Sequence, residues 1–569
     1  MSTLLLVPLA AGGGAFVCML LAILLWYRRK ELEATTDVLV IGTGCAGLTA
    51  ALRASETRRV VCVDSAQKPG GTTALSGGGL YVPNNTWKRD LGGTETLAQF
   101  ERFIESDNGD PLTTRERQFV ARYFRYTTEA MDYLVDQGLE FELATVMASV
   151  VPKNRAFCEA NGLDTRLAPF KTDYDTTNNT HGIARSVFPR LSLRATAKSF
   201  QTSIDESGLK ASLDPKVAKL ASRAGYLSRG NGAALIRQLL EKLSQKGVPV
   251  VLGKRLVRLT RYERRWRAEF ADGSQTLAND VVLASGGAGA NETTVKSMPD
   301  GRTVLNACTC ETNLGLDGIV HPRPLRRRAL WKKQTRTATS TSWNGGRLQT
   351  WFLSGDHMFM VNDLGKRFVN EFSSYGRRAE AQGDRRAFVV FDAQTLDQFG
   401  GAAGSPIPPR YEDHMLTFHS QESLIGDLAK ELAKGHPDRL ATVRTELEKT
   451  VLKFVSSQDD ALRTEATVSN YNWSTFSEDS PLLTRSNAQP PFYAIEVSKA
   501  ILDTVGECDT DVRGNCLDEY GQPLGHLFAV GNCSAPLTDR SFYVSGGITL
   551  GKCICDGYIA GSVLAADAT

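Results

Sequence analysis

The feature that most constrains this chain is the run TDVLVIGTGCAGLTAALRASETRRVVCVDS, residues 36–65. VLVI is a short apolar segment rich in β-branched side chains, suited to a strand covered on both faces. Gly42, Gly44 and Gly47 follow in the spacing G-x-G-x-x-G, and LTAALRA continues with helical character. In that pattern Gly42 permits a sharp turn, Gly44 lets a pyrophosphate approach the backbone, and Gly47 lets helix and sheet pack closely. Cys45 and Ala46 open the helix, where free N–H groups and the helix dipole favour phosphate. Asp64 closes the second strand, VVCVD, at the spacing of an acid that binds a ribose hydroxyl. These residues predict a dinucleotide site in a Rossmann-like α/β sheet.

Six residues past Asp64 begins a second signal, GGTTALSGGGLYVP at 70–83. Five glycines and a proline in fourteen residues are poor core material, but they suit a backbone that lies against something flat or anionic. Gly71, Gly77 and Gly78 offer backbone N–H donors, and Thr72, Thr73 and Ser76 add hydroxyls. That set suits the phosphate, ribitol and isoalloxazine of an extended FAD rather than a nicotinamide cofactor alone.

The residues from 36 to 563 resemble, in order, the flavoprotein superfamily of fumarate reductases and 3-ketosteroid dehydrogenases. The resemblance is carried by GTGCAG, by GGTTALSGGGLYVPNN, by the helix-plus-strand segment 230–259, by VVLASGGAGANE at 281–292, by TNLGLDGIV at 312–320, by MFMVNDLGKRFVNE at 358–371, and by PPFYAIEV and LFAVGNCSA at 490–497 and 527–535. It implies further cofactor contacts at Val257, Ser285, Gly286, Gly531, Asn532, Gly547, Ile548 and Leu550. It also implies a split FAD-binding domain, 34–312 and 485–569, with an α+β substrate-capping domain inserted at 313–484. No His flanks the glycine run, so the flavin is expected to be dissociable.

Within that superfamily FYVSGGITLG, 542–551, resembles the ketosteroid 1-dehydrogenase pattern Y-P-G-P-G-A-T-I-G, with Tyr543 and Gly547 on its tyrosine and inner glycine. The resemblance implies that the Tyr543 hydroxyl and the Gly547 N–H hold a 3-keto oxygen, as an oxyanion hole does. It places the base that removes the C2 proton at Tyr375, in VNEFSSYGRR, supported by Tyr174, while hydride leaves C1 for the flavin. A phenol with an ordinary pKa of ~10 needs such help near neutrality. Val544 and Gly546 replace the two prolines of the pattern, and Y-x-S-G is also the form of 3-keto-5α-steroid 4-dehydrogenases, in which Ser545 is a donor. Desaturation at 1,2 is favoured over 4,5. A fumarate reductase-like ene-reductase is the further alternative: 537–561 lacks the His and Asn-Arg pair of the dicarboxylate enzymes, and Arg540 is the cation nearest Tyr543.

The segment 4–26, LLLVPLAAGGGAFVCMLLAILLW, carries no charge and is long enough to cross ~30 Å of hydrocarbon. Arg28, Arg29 and Lys30 follow it and no charge precedes it, the reverse of a cleavable signal peptide. The expectation is a single-pass anchor in a lipid bilayer with the catalytic body in the cytosol, at the endoplasmic reticulum in a eukaryote. Eleven cysteines without zinc spacing fit reduced, buried thiols and no metal site. A net charge of +3 over 569 residues gives no argument for nucleic acid, and the basic run 323–336 reads as a solvated face or a contact with anionic headgroups. The implied partners are a lipophilic 3-keto steroid or triterpenoid and an electron acceptor that the sequence does not identify.

Overall fold

The computed structural model describes residues 33–76, 78–86, 95–108, 110–143, 232–289, 358–369, 375–399, 415–456, 488–538 and 547–566. Short pieces at 89, 145–146, 168–169, 186–189, 291, 306–307 and 336–343 complete it. The segment 4–26, Gly77, Tyr174, Tyr543 and Ser545 lie outside the described residues.

The first strand, Glu33–Ile41, sits inside an eight-stranded sheet. It pairs in parallel with Val60–Val63 on one side and Gln275–Leu283 on the other, and Val250–Val251 and Pro523–Ala529 extend the parallel set outward. Alternation along the strand fills two cores. Val38 and Val40 face one, and Leu39 and Ile41 face the other. The apolar run is therefore buried on both sides, as its composition predicts.

On the Val38 side lie three helices, Cys45–Ala54, Gly232–Gln245 and Ile548–Ala566. The last of these packs on the first through a seam of small residues. A Cβ on Gly557 would stand 2.4 Å from the Ala46 carbonyl oxygen, and one on Gly561 would stand 2.8 Å from that of Ala50. Among the described residues, Ile548–Ala566 is the helix long and apolar enough to cross a membrane, but 78% of that stretch is buried in the protein, which makes it a core helix. The helix Thr114–Asp136 leans on it and begins at a capping box. Glu116 N–H donates to the Thr113 hydroxyl, and the Glu116 carboxylate accepts from Thr113 N–H at 2.8 Å.

A second, six-stranded sheet is organised around the long strand Phe492–Val505. That strand pairs antiparallel with Arg336–Trp343, Ala387–Asp392 and Met415–Phe418, and parallel with Asn306–Ala307. Met358–Asn362 completes the sheet, and the helices Gln421–Leu432 and Leu440–Ser456 cover its core. This moves the expected domain boundaries. PPFYAIEV does not return the chain to the nucleotide-binding sheet; it enters the second sheet, and among the described residues the chain rejoins the first sheet at Asn515–Leu517 and Pro523–Ala529. Residues 306–307, assigned from sequence to the FAD domain, also belong to the second sheet.

Candidate FAD-binding site

Four parallel strands end at the same edge of the first sheet, and the residues that follow them line one cleft. Gly42 follows Ile41, Asp64 follows Val63, Ala284 follows Leu283, and Val530 follows Ala529; all four line the cavity. A crevice beyond the carboxyl ends of parallel strands, where the connections diverge to opposite faces, is where α/β sheets bind nucleotides. The cavity contains about 870 Å³ of space, part of it open to solvent.

The glycine turn is held tightly. Gly42 has a φ of +111°, and its N–H donates to the Val63 carbonyl at 2.7 Å. Gly44 caps the following helix without a side-chain hydrogen bond, and no acidic residue stands in the first turn. Gly44, Cys45 and Ala46 line the cavity at that helix end, so the positive end of the dipole meets the space where a diphosphate fits. Gly47 does not line the cavity; a Cβ there would come within 2.1 Å of the Gly42 carbonyl oxygen, which is the close helix–turn packing expected of it.

Thr43, to which sequence reasoning gave no role, ties three segments together. Its N–H and hydroxyl both donate to Asp64 Oδ2, at 2.8 and 2.6 Å, and its hydroxyl oxygen accepts from Gly70 N–H at 3.1 Å. Ala66 N–H donates to the other Asp64 oxygen at 2.8 Å. Asp64 is thereby fixed in place at the cavity wall, where a carboxylate can accept from ribose hydroxyls.

The stretch GTTAL is a five-residue helix, Gly71–Leu75, rather than an open loop. Its first residues, Gly71, Thr72 and Thr73, line the cavity, and the Thr73 hydroxyl accepts from Cys45 N–H at 3.2 Å. Ser76 instead holds the chain path: its hydroxyl donates to the Thr73 carbonyl at 2.7 Å and accepts from Gly78 N–H at 3.2 Å. Across the cleft, Ser285 and Gly286 line the wall, and Cys533 Sγ lies 3.2 Å from the Ser285 hydroxyl and 3.1 Å from the Gly286 carbonyl. Burial pushes the thiols of Cys45 and Cys533 up to about 12, so neither is a thiolate near neutrality. All seven described cysteines are buried and unpaired by disulfide.

Val257 does not line the cavity, and its side chain is 41% exposed. The segment just before it does the lining: Lys254, Arg255 and Leu256, with Leu256 turned inward and the Lys254 N–H bonded to the Asp64 carbonyl at 2.7 Å. Asn532 and Cys553 form part of the wall, whereas Gly531, Ile548 and Leu550 stand behind it.

Of the residues assigned to chemistry, the structure describes Gly547 and the backbone of Tyr375. Gly547 has a φ of +89°, and its carbonyl oxygen accepts from Tyr81 N–H at 3.0 Å and Gly551 N–H at 2.9 Å. A Cβ on it would lie 2.7 Å from the Gly79 carbonyl oxygen. The end of the glycine run therefore lies directly against the turn that opens the C-terminal helix. Tyr375 begins the helix Tyr375–Gln382, which packs on strands of the second sheet, and Arg378, one turn on, is buried.

The residues present fit FAD: a helix N-terminus whose cap residue, Gly44, brings no side chain, glycines that leave room for a diphosphate, an acceptor carboxylate and a second, hydroxyl-bearing helix lie on one cleft. The comparisons agree. A sequence profile described as FAD binding domain matches residues 37–550. The chain is 26% identical to 4-oxocyclohexanecarboxylate 2-dehydrogenase of Sinomonas cyclohexanicum, over 94% of each chain. It is also 26% identical to 3-oxosteroid 1-dehydrogenase of Mycolicibacterium smegmatis, over 94% of this chain and 97% of that one. Its fold is similar to that of the 3-ketosteroid Δ1-dehydrogenase of Sterolibacterium denitrificans, with a TM-score of 0.60 at 18% identity, covering 94% of this chain and all of the other. The profile runs through both parts of the split nucleotide-binding sheet, and the chain belongs to this family of FAD-binding oxidoreductases.

Proposed function

We propose that the protein dehydrogenates a ring ketone of the 3-keto steroid or triterpenoid class, placing a double bond between C1 and C2. The observation that carries this reading is the seat of Gly547. Its positive φ and the Gly79 carbonyl beside it require glycine there, and two hydrogen bonds to its carbonyl fix it where the glycine run meets the C-terminal helix. An N–H held in a fixed place is what a developing enolate oxygen needs as a donor. The names of the two dehydrogenase relatives support the same chemistry: each puts dehydrogenation at the ring carbon β to a ring ketone.

In this reading the Tyr543 hydroxyl and the Gly547 N–H hold the ketone oxygen, and Tyr375, helped by Tyr174, takes the proton from C2. FAD, when bound, supplies the acceptor for the hydride that leaves C1. Incubation with a panel of 3-keto steroids and an artificial electron acceptor is expected to give products two hydrogens lighter, with the new double bond at C1–C2. A double bond at C4–C5 would assign the 4-dehydrogenase reaction and Ser545 as a donor instead.

The lipophilic substrate also gives a reason for the apolar segment 4–26, which we read as a single bilayer span with the body on the cytosolic side. The full chain is expected to stay in the membrane pellet after an alkaline carbonate wash, and a chain starting at residue 33 to be released. Full-length protein in the supernatant would contradict the span.

A further inference from the structure

Behind the cavity wall lies a cluster of charge that FAD binding alone does not call for. Lys552, on the C-terminal helix, directly precedes Cys553, which lines the cavity. Its side chain is 5% exposed, that of Asp556 1%, and that of Arg122, from the helix Thr114–Asp136, 8%. One carboxylate serves both cations: Asp556 Oδ1 lies 2.7 Å from Arg122 Nη1 and Oδ2 lies 2.5 Å from Lys552 Nζ. Asp511 also acts on Arg122, and together with Asp556 it keeps that guanidinium charged against the cost of burial.

The remaining bonds of the cluster go to the wall. Lys552 Nζ donates to the Gly531 carbonyl at 2.8 Å and to the Ser534 hydroxyl. Gly531 N–H donates to Asp556 Oδ2 at 3.0 Å, and the Ser534 hydroxyl lies 2.7 Å from the Gly531 carbonyl. Both polar groups of Gly531 are thus held by the cluster, one residue before cavity-lining Asn532 and one after cavity-lining Val530. Buried ion clusters are weak stabilisers, and apolar residues of similar volume would often serve a core as well. Their cost points to a role beyond stability.

We propose that Lys552 is a positioning residue for the cofactor: its buried ammonium locks the Val530–Asn532 wall and places positive charge behind it, favouring the reduced, more negative form of bound FAD. Charge near the ring is one of the means by which a protein tunes a flavin. The inference rests on FAD binding and not on the identity of the substrate.

The test is the midpoint potential of the bound flavin, read by anaerobic dye-equilibrated titration of purified holoenzyme. Lys552→Gln keeps a donor for the Gly531 carbonyl and removes the charge; it is expected to shift the reduction equilibrium about tenfold toward oxidised flavin, about 30 mV for two electrons. Ser534→Ala keeps every charge; it is expected to weaken FAD binding a few-fold and leave the potential in place. A folded Lys552→Gln protein with the wild-type potential would overturn the proposal. Should that variant not fold, Lys552→Arg decides: charge is retained, so the wild-type potential is expected, and a tenfold displacement would show that charge at this position does not set it.

Discussion

Gly42→Ala is expected to give a protein that no longer retains FAD, with flavin occupancy after gel filtration down at least a hundredfold. The added Cβ would stand 2.2 Å from the Ala284 carbonyl oxygen and 2.7 Å from its carbon, at a residue whose φ is +111°. Neither side has freedom to yield. Gly42 N–H is bonded to the Val63 carbonyl, and Ala284 N–H is bonded to the Ile41 carbonyl at 2.8 Å, so the clash lies between adjacent strands at the cleft. A left-handed backbone at a residue with a side chain costs on the order of 1–3 kcal/mol by itself. Gly273 separates that cost from the clash: its φ is +82° and nothing lies within 4 Å of an added Cβ. Gly273→Ala is therefore expected to be slightly less stable and fully yellow. The ratio of flavin to protein absorbance, with circular dichroism as the check on folding, measures both. A Gly42→Ala protein as yellow as wild type would show that this turn does not shape the cofactor site.

Tyr543→Phe is expected to keep FAD at wild-type occupancy and to lose about 10²–10³ in kcat on a 3-keto steroid, the effect of removing one donor from an oxyanion hole. The separation of the two readouts is the point of the experiment. The nucleotide cavity is built from residues around Gly42, Asp64, Gly71, Ala284 and Val530, and in the proposed reading the Tyr543 hydroxyl serves the ketone oxygen and not the cofactor. Loss of the phenol should leave binding of the cofactor intact while the ketone oxygen loses a partner. Rates unchanged from wild type would remove Tyr543 from the mechanism, and with it the match of FYVSGGITLG to the ketosteroid pattern.

The cofactor site was legible because its parts are short-range. The strand, the turn and the acid at 36–65 form one continuous unit, and the structure brings Gly42, Gly44, Cys45, Ala46 and Asp64 to one cleft. The stretch 70–76 was legible as a cofactor segment but not as a helix, since two glycines and two threonines carry low helix propensity and the turn is held by its neighbours. PPFYAIEV, 490–497, was placed with the FAD domain although its strand pairs in the second sheet, because an apolar run states that a strand is buried and not which strands lie beside it. Lys552 and Asp556 look in sequence like an ordinary i,i+4 surface pair. They lie instead on a buried core helix, and Arg122, which pairs with Asp556, arrives from a helix more than four hundred residues away in the chain. Thr43 occupies the variable place of G-x-G, where the pattern itself assigns no chemistry.

The central claim is that a ring ketone reduces the FAD held in this cleft, and anaerobic mixing of the yellow holoenzyme with a 3-keto steroid tests it most directly. The account predicts that the flavin absorbance bleaches as the steroid loses two hydrogens, one product molecule for each flavin reduced. Flavin that stays yellow with every ketone offered, yet is rapidly reoxidised by fumarate or an enone once chemically reduced, would contradict it and identify a reductase.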